Sequence, residues 1–169
     1  KNALPDAATL IQGNTGDAEA LAKIFREHTI EAVIHFAAYL SVAESVADPR
    51  KYVYNNIIRP VTLLDSMASH GVKHMIFSSS AAVYGNPQVI PIPEDHLKNP
   101  ESPYGLTKWC FEELLRVYNK STGITSISLR YFNASGAALD GKNGEDHDPE
   151  THIIPMAIRA AQGKQKEFY

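Results

Sequence analysis

Apolar runs of strand length alternate along the chain with longer stretches in which apolar residues recur every three or four positions. That alternation predicts a sheet interleaved with helices. Residues 9–14 (TLIQGN) predict a short strand. Residues 17–28 predict a helix, with Asp17 placed to cap its start and Leu21, Ile24 and Phe25 on one face. Residues 31–38 (EAVIHFAA) are apolar almost without a break, as in a fully buried strand. A long helix is predicted from Pro49, a residue suited to a first turn, to about His70, with Gly71 ending it. A strand over 74–80 follows, then a proline-rich loop over 86–103 that is too long for a simple connector. A second long helix is predicted over 103–122, carrying Tyr104, Lys108, Phe111, Leu114, Leu115 and Tyr118 and closed by Gly123. A strand over 124–132, a loop rich in Gly and Asp over 133–150 and a helix over 151–162 complete the pattern. Repeated strand–helix–strand order predicts an α/β fold, a parallel sheet with helices on both faces. No internal repeat and no low-complexity tract interrupts it.

Composition narrows the classes. The chain has 169 residues, 44% apolar and 21% charged, ordinary for a globular domain with a real core. A net charge of −3 offers no basic field for nucleic acid. No apolar run reaches the length of a membrane span, and no signal peptide is visible. Cys110 is the only cysteine, so no internal disulfide is possible; this fits a reducing cytosol, and a cytoplasmic location is expected. Cys110 itself reads as a small buried thiol rather than a nucleophile. The seven histidines are scattered, and Gly71 separates His70 from His74, so no metal site is expected. The acidic run from Glu145 to Glu150 reads as a solvated loop.

Candidate chemistry concentrates at Tyr104-Gly105-Leu106-Thr107-Lys108. Tyr and Lys four apart share a helix face, about 6 Å apart along the axis. A phenol acting as a base near neutrality needs its pKa, ordinarily about 10, lowered by about 3 units, or about 4 kcal/mol. A neighbouring ammonium favours the phenolate. Such a pair also arises by chance, as a surface lysine beside a half-buried tyrosine. The serine run Ser78-Ser79-Ser80 changes the balance, because it ends the apolar run His74-Met75-Ile76-Phe77. Three hydroxyls make a poor core but suit the carboxyl end of a parallel strand, where α/β proteins place their sites.

Four motifs then fall in order: FSSSAAVYG (77–85), SPYGLTK (102–108), LRYFNASGA (129–137) and GEDHDPETHIIP (144–155). In these the chain resembles the UDP-glucose 4-epimerases, a family of extended short-chain dehydrogenases/reductases. YxxxK marks only the superfamily, whereas RYFN with the GEDHxPETH loop is much more specific and points to the nucleotide-sugar epimerases. The resemblance implies a Rossmann-like sheet, NAD as cofactor and a UDP-hexose as substrate. It implies hydride removal from carbon 4, a 4-keto sugar that turns over while its UDP stays anchored, and hydride return to the other face. Tyr104 would take the 4-hydroxyl proton, Lys108 would lower the tyrosine's pKa and bond the nicotinamide ribose, and Ser80 would hydrogen-bond the same hydroxyl. Asn14, Thr15, Phe36, Ala37, Ala38, Asn55, Tyr104, Lys108 and Phe132 would meet the cofactor. Ser80, Ala81, Ala82, Tyr104, Asn133, His152 and Ile153 would meet the UDP-sugar. On residues alone, Phe36 and Phe132 read equally well as core, Asn133 as a turn residue and His152 as a helix-start decoration.

The chain also departs from the family. It has no GxxGxxG loop after a first strand, because Gly13 and Gly16 belong to the turn after the family's third strand. The first two strands and the C-terminal part of the substrate region are expected to be missing, leaving residues 33–38 as an exposed apolar edge. Residues 1–138 then read as a partial NAD-binding domain and 139–169 as the start of a substrate-binding region. The reading is an internal piece of a longer protein, which alone neither folds stably nor binds NAD tightly. Asn14-Thr15 replaces the family's usual Asp and aliphatic pair near adenine, and Leu40 stands where Lys is frequent. Ala81 and Ala82 replace the acidic pair of sugar 4,6-dehydratases, which argues against elimination of water. A nucleotide-sugar decarboxylase or 4-reductase, or a non-catalytic interaction module, remain the alternatives. Relatives form dimers through the two long helices, so a homodimer is expected, with no nucleic-acid or membrane partner.

Overall fold

Asp17, Ser41, Asp48 and Ser102 cap the starts of four helices, and Gly71 and Gly123, both in the left-handed region, end the two long helical stretches. The computed structural model describes residues 4–5, 7–145, 147, 150 and 152–164. The chain divides into two compact units, one of residues 11–132 and one of residues 1–10 with 133–169.

In the larger unit, α1 (Ala18–Glu27) begins where the Asp17 carboxylate accepts from the Ala20 N–H at 3.0 Å. β1 (Ala32–His35) leads to α2 (Val42–Ala47), capped by Ser41. This six-residue helix is absent from the sequence-based expectation, because fewer than two turns carry no readable period. The long helix expected from Pro49 forms in three parts: α3 (Pro49–Val53), a π-turn (Tyr54–Ile58) and α4 (Arg59–Ser69). In the π-turn the Arg59 N–H reaches back five residues to the Tyr54 carbonyl. Pro60 has no N–H to donate to Asn56, so the regular ladder fails there and the wider turn absorbs the break. Gly71 has φ +73 and ends the helix.

β2 (His74–Ser80) matches its expected range. A 3-10 turn (Ala81–Val83) follows, then residues 86–102 without helix or strand. Gly85 anchors that loop: with φ +65, its missing Cβ would stand 1.9 Å from the Asn99 carbonyl oxygen. α5 (Pro103–Thr122) is capped by Ser102 and closed by Gly123 at φ +76, and β3 (Thr125–Tyr131) completes the sheet.

The three strands are parallel in the order β1-β2-β3. Phe77 and Met75 on β2 meet Leu63, Leu64 and Met67 of α4 and Phe111 and Leu115 of α5 in one buried cluster. The opposite face carries the cross-strand row Ile34–Ile76–Ile127, in which Ile34 and Ile127 are 57% and 62% exposed. Phe36 just beyond β1 is exposed as well, so the expected apolar edge is present. The strand expected over 9–14 does not form; Leu10 and Ile11 are exposed. A strand persists only where a neighbour takes up its N–H and C=O groups, and among the described residues none pairs with this segment.

In the smaller unit, a turn closed by the Ala138 N–H on the Asn143 carbonyl precedes α6 (Ile153–Ala161). The helix was expected from residue 151, which lies outside the described residues, as do Asp146, Asp148 and Pro149 of the acidic loop.

Candidate active site

Ser80 ends β2, and its Oγ accepts from the Ala82 N–H at 3.2 Å, turning the chain into the Ala81–Val83 turn. The first turn of α5 lies against that turn. Ser102 Oγ accepts from the Gly105 N–H at 3.1 Å, and a Cβ on Gly105 would stand 2.6 Å from the Ala82 carbonyl oxygen. Only glycine permits this approach. The Tyr104 N–H donates to Ser45 Oγ at 3.1 Å, so α2 braces the same helix start, and Tyr52 meets the Tyr104 ring edge-on at 6.5 Å.

Lys108 extends along the tyrosine's side of α5. Its Nζ lies 5.8 Å from the centre of the Tyr104 ring and donates to the Ser78 carbonyl at 2.7 Å. Only 4% of the residue is exposed, and burial lowers its pKa from the usual 10.5 to about 8. The ammonium therefore predominates at neutrality. His35 stacks on Phe77, and its pKa falls to about 4, first through burial and then through the Lys108 charge. It is neutral at pH 7 and leaves Lys108 as the local cation. The structure thus brings Tyr104, Lys108 and the Ser78–Ser80 tip together.

The chain after β1 passes Phe36, Ala37 and Ala38 and is then held by Asn56, a residue the sequence reading missed. Its Oδ1 accepts from the Tyr39 N–H at 2.9 Å, and its Nδ2 donates to the Tyr39 carbonyl at 3.0 Å and to Thr107 Oγ1 at 3.3 Å. Asn56 is 3% exposed, and an amide pair inside a helix was the one signal that pointed to it. Its neighbour Asn55 donates to Asn56 Oδ1 at 3.1 Å and accepts from Arg59 Nη1 at 3.1 Å. Asn55 and Arg59 line a cleft of about 320 Å³ with Tyr39, Arg50 and Lys51. The Asn14–Gly16 turn, in which Asn14 Oδ1 accepts from the Gly16 N–H at 2.8 Å, packs on the Arg59 side chain. Asn14 and Thr15 belong to that turn; in the cleft Lys51 is already paired with Glu44, which leaves Arg50 and Arg59, beside Asp48, as the cations that suit an anionic ligand. Phe132, 68% exposed, follows Tyr131, which pairs with Ser80 across the sheet.

Asn133, His152 and Ile153 belong to the smaller unit. His152 directly precedes α6; its N–H donates to Glu150 at 2.8 Å, and its Nδ1 lies 2.7 Å from Glu145 and 3.0 Å from Glu150. Ile153 is exposed in the first turn. Glu145, His147, Glu150 and His152 hold possible ligand atoms within 4.8 Å of one another. Each histidine Nδ1 faces a carboxylate oxygen, and we assign no metal role to the group. Among the described residues no helix is long and apolar enough to cross a membrane.

The family model of the NAD dependent epimerase/dehydratase family matches residues 1–169. A UDP-glucose 4-epimerase of Lactobacillus helveticus is 46% identical over 168 residues, 99% of this chain and 51% of that protein. One from Streptococcus mutans is 45% identical over 167 residues, 98% of this chain and 50% of that protein. The crystal structure of UDP-glucose 4-epimerase from Brucella ovis in complex with NAD superposes with a TM-score of 0.90 at 45% identity, covering 94% of this chain and 49% of that one. The Bifidobacterium longum UDP-glucose 4-epimerase in complex with NAD+ and UDP gives 0.86 at 39% identity, over 93% of this chain and 48% of that one. The chain spans about half the length of the relatives it matches.

Proposed function

Because the chain belongs to the NAD dependent epimerase/dehydratase family, we propose that it supplies the proton-transfer groups of an NAD-dependent epimerisation at carbon 4 of a UDP-hexose. UDP-glucose and UDP-galactose are the substrate pair, and a 4-keto sugar is the intermediate. The observation that carries this reading is the Lys108 ammonium, 5.8 Å from the Tyr104 ring and bonded at 2.7 Å to the strand tip that ends in Ser80.

The Tyr104 oxygen takes the proton of the sugar 4-hydroxyl and later returns it. The Ser80 hydroxyl orients that 4-hydroxyl and relays its proton. Lys108 stabilises the phenolate. Its ammonium lies 5.8 Å from the centre of the Tyr104 ring and attracts negative charge developing there. NAD, when bound, supplies a hydride acceptor and donor at carbon 4. Phe36, Ala37 and Phe132 offer exposed surface for it, with Ala38 half-buried beside them, and the Asn55–Arg59 cleft offers cations for its phosphates. Ala81 and Ala82 leave the sugar side of the tip without an acid, which favours return of the hydride over loss of water. Asn133, His152 and Ile153 are the proposed contacts to the UDP moiety, whose remote binding holds the keto sugar as it turns. A homodimer through α3–α4 and α5, and a cytoplasmic location, belong to the same proposal.

The test is Tyr104→Phe in the full-length protein, followed by conversion of UDP-galactose to UDP-glucose. Turnover is expected to fall by at least about a hundredfold, since a positioned base contributes about 10² to 10⁴. Unchanged turnover removes Tyr104 from the mechanism, and net NADH release argues for oxidation rather than epimerisation.

A further inference from the structure

One polar group buried behind the strand tip takes no part in the chemistry above. Glu112 lies on α5 one helical turn beyond Lys108 and two beyond Tyr104, on the same face. It is 6% exposed. Ser79, 3% exposed, donates from its Oγ to Glu112 Oε1 at 2.5 Å. Arg130 on β3 grips the same carboxylate with two hydrogen bonds, Nε to Oε1 at 3.1 Å and Nη2 to Oε2 at 2.7 Å. Its remaining Nη1 donates to the Tyr84 hydroxyl at 2.8 Å and to the Glu94 carbonyl at 2.9 Å. One carboxylate thus joins α5, the β2 tip and the end of β3, and through Arg130 the chain just past the Ala81–Val83 turn.

Two side chains of α5 reach successive residues of β2. Lys108 bonds the Ser78 carbonyl, and Glu112 bonds the Ser79 hydroxyl. Ser80, which orients the reacting hydroxyl, is the next residue. A lysine that must serve the phenolate makes a poor sole tether, because any shift of its ammonium toward the oxygen loosens the strand. A buried carboxylate already paired with arginine has no such second duty, and its charge-assisted hydrogen bond is the stronger kind.

We propose that Ser79 and Glu112, locked by Arg130, are positioning residues that set the register of Ser80 against Tyr104 and Lys108. The inference rests on the proton-transfer reading of those three residues. Neither Ser79 nor Glu112 touches substrate; both act through the strand tip.

The experiment compares Ser79→Ala, Ser79→Thr and Tyr104→Phe in the full-length protein, with kcat and KM for UDP-galactose measured well below each melting midpoint. Ser79→Ala removes one hydroxyl and leaves the Glu112–Arg130 pair intact. Its kcat is expected to fall about tenfold with KM unchanged, the mark of lost alignment rather than lost binding. Ser79→Thr keeps the donor and is expected to recover most of the rate. Wild-type kcat in Ser79→Ala overturns the inference. So does a kcat loss no larger than the unfolded fraction, a rise in KM alone, or a threonine variant as slow as the alanine one. If Ser79→Ala does not fold, Glu112→Gln carries the comparison, since its amide oxygen still accepts from Ser79 but without charge. A kcat several-fold lower at constant KM supports the inference, and an unchanged kcat overturns it. Tyr104→Phe separates the two levels: full turnover there removes the proton-transfer reading and this inference with it. A dead Tyr104→Phe beside a wild-type Ser79→Ala removes this inference alone.

Discussion

Replacing Gly105 by alanine sets a helix-propensity gain against a steric cost at the junction between the catalytic helix and the serine tip. Gly105 is buried in the first turn of α5, directly after Tyr104. Alanine in a helix interior is favoured over glycine by about 1 kcal/mol. The added Cβ would stand 2.6 Å from the Ala82 carbonyl oxygen and 3.1 Å from both the Ala82 carbonyl carbon and Pro100 Cβ. Ordinary contact begins at 3.4 Å, so helix and turn must separate by about 0.8 Å. Both obstacles are stiff, a backbone carbonyl and a proline ring, so no side chain can rotate out of the way. Overpacking of this kind costs about 1–3 kcal/mol, which leaves a net loss of up to about 2 kcal/mol. The displacement falls on the start of α5 or on the turn after Ser80, next to Tyr104 and Ser80, the two groups proposed to meet the sugar. A misplacement near 1 Å costs about a hundredfold in rate. Gly105→Ala is therefore expected to melt a few degrees lower and to lose between about ten- and a hundredfold in kcat for UDP-galactose. Thermal melting and steady-state kinetics on the full-length protein read both quantities. An alanine variant that melts higher and turns over at full rate would refute the close approach and the role given to it.

Lys108→Met is expected to lower kcat about a hundredfold, the low end of what a positioned proton-transfer group contributes; a kcat within twofold of wild type would disprove the role given to the ammonium. The same variant has a signature in stability. The folded pKa of Lys108 is about 8, below its usual 10.5, so the unfolded chain binds the extra proton between those values. Stability from this group rises with pH across that window by about 3 kcal/mol, and Lys108→Met should remove the rise. His35 shows the acid-side counterpart, with a folded pKa of about 4 against 6.5. Its contribution is complete above pH 6.5 and is lost as pH falls toward 4, so urea midpoints of His35→Phe should fall less than those of wild type between pH 6.5 and 4.5. An equal fall in both would show that His35 is not the group being charged.

Much of the candidate site was legible because it is local. The spacing of Tyr104 and Lys108 on one helix, the cap at Asp17, and the terminating glycines at 71 and 123 involve neighbours within a few residues, and the structure holds them all as expected. Hydrogen bonds over three to five residues are written in the chain itself, whatever surrounds it. The features that were missed depend on segments far apart in sequence. Residues 9–14 have a strand's pattern but no pairing partner, and a pattern cannot supply one. Asn56 reads as an ordinary polar helix residue until the backbone of Tyr39, 17 residues away, is laid across it. Ser79, Glu112 and Arg130 are three unremarkable residues until the sheet register and the packing of α5 bury them together. The sequence alone determined which groups are candidates for the chemistry and the face of the helix that Tyr104 and Lys108 share. Tertiary packing decided how those groups are held, because burial and distant partners arise only when separate elements close on one another.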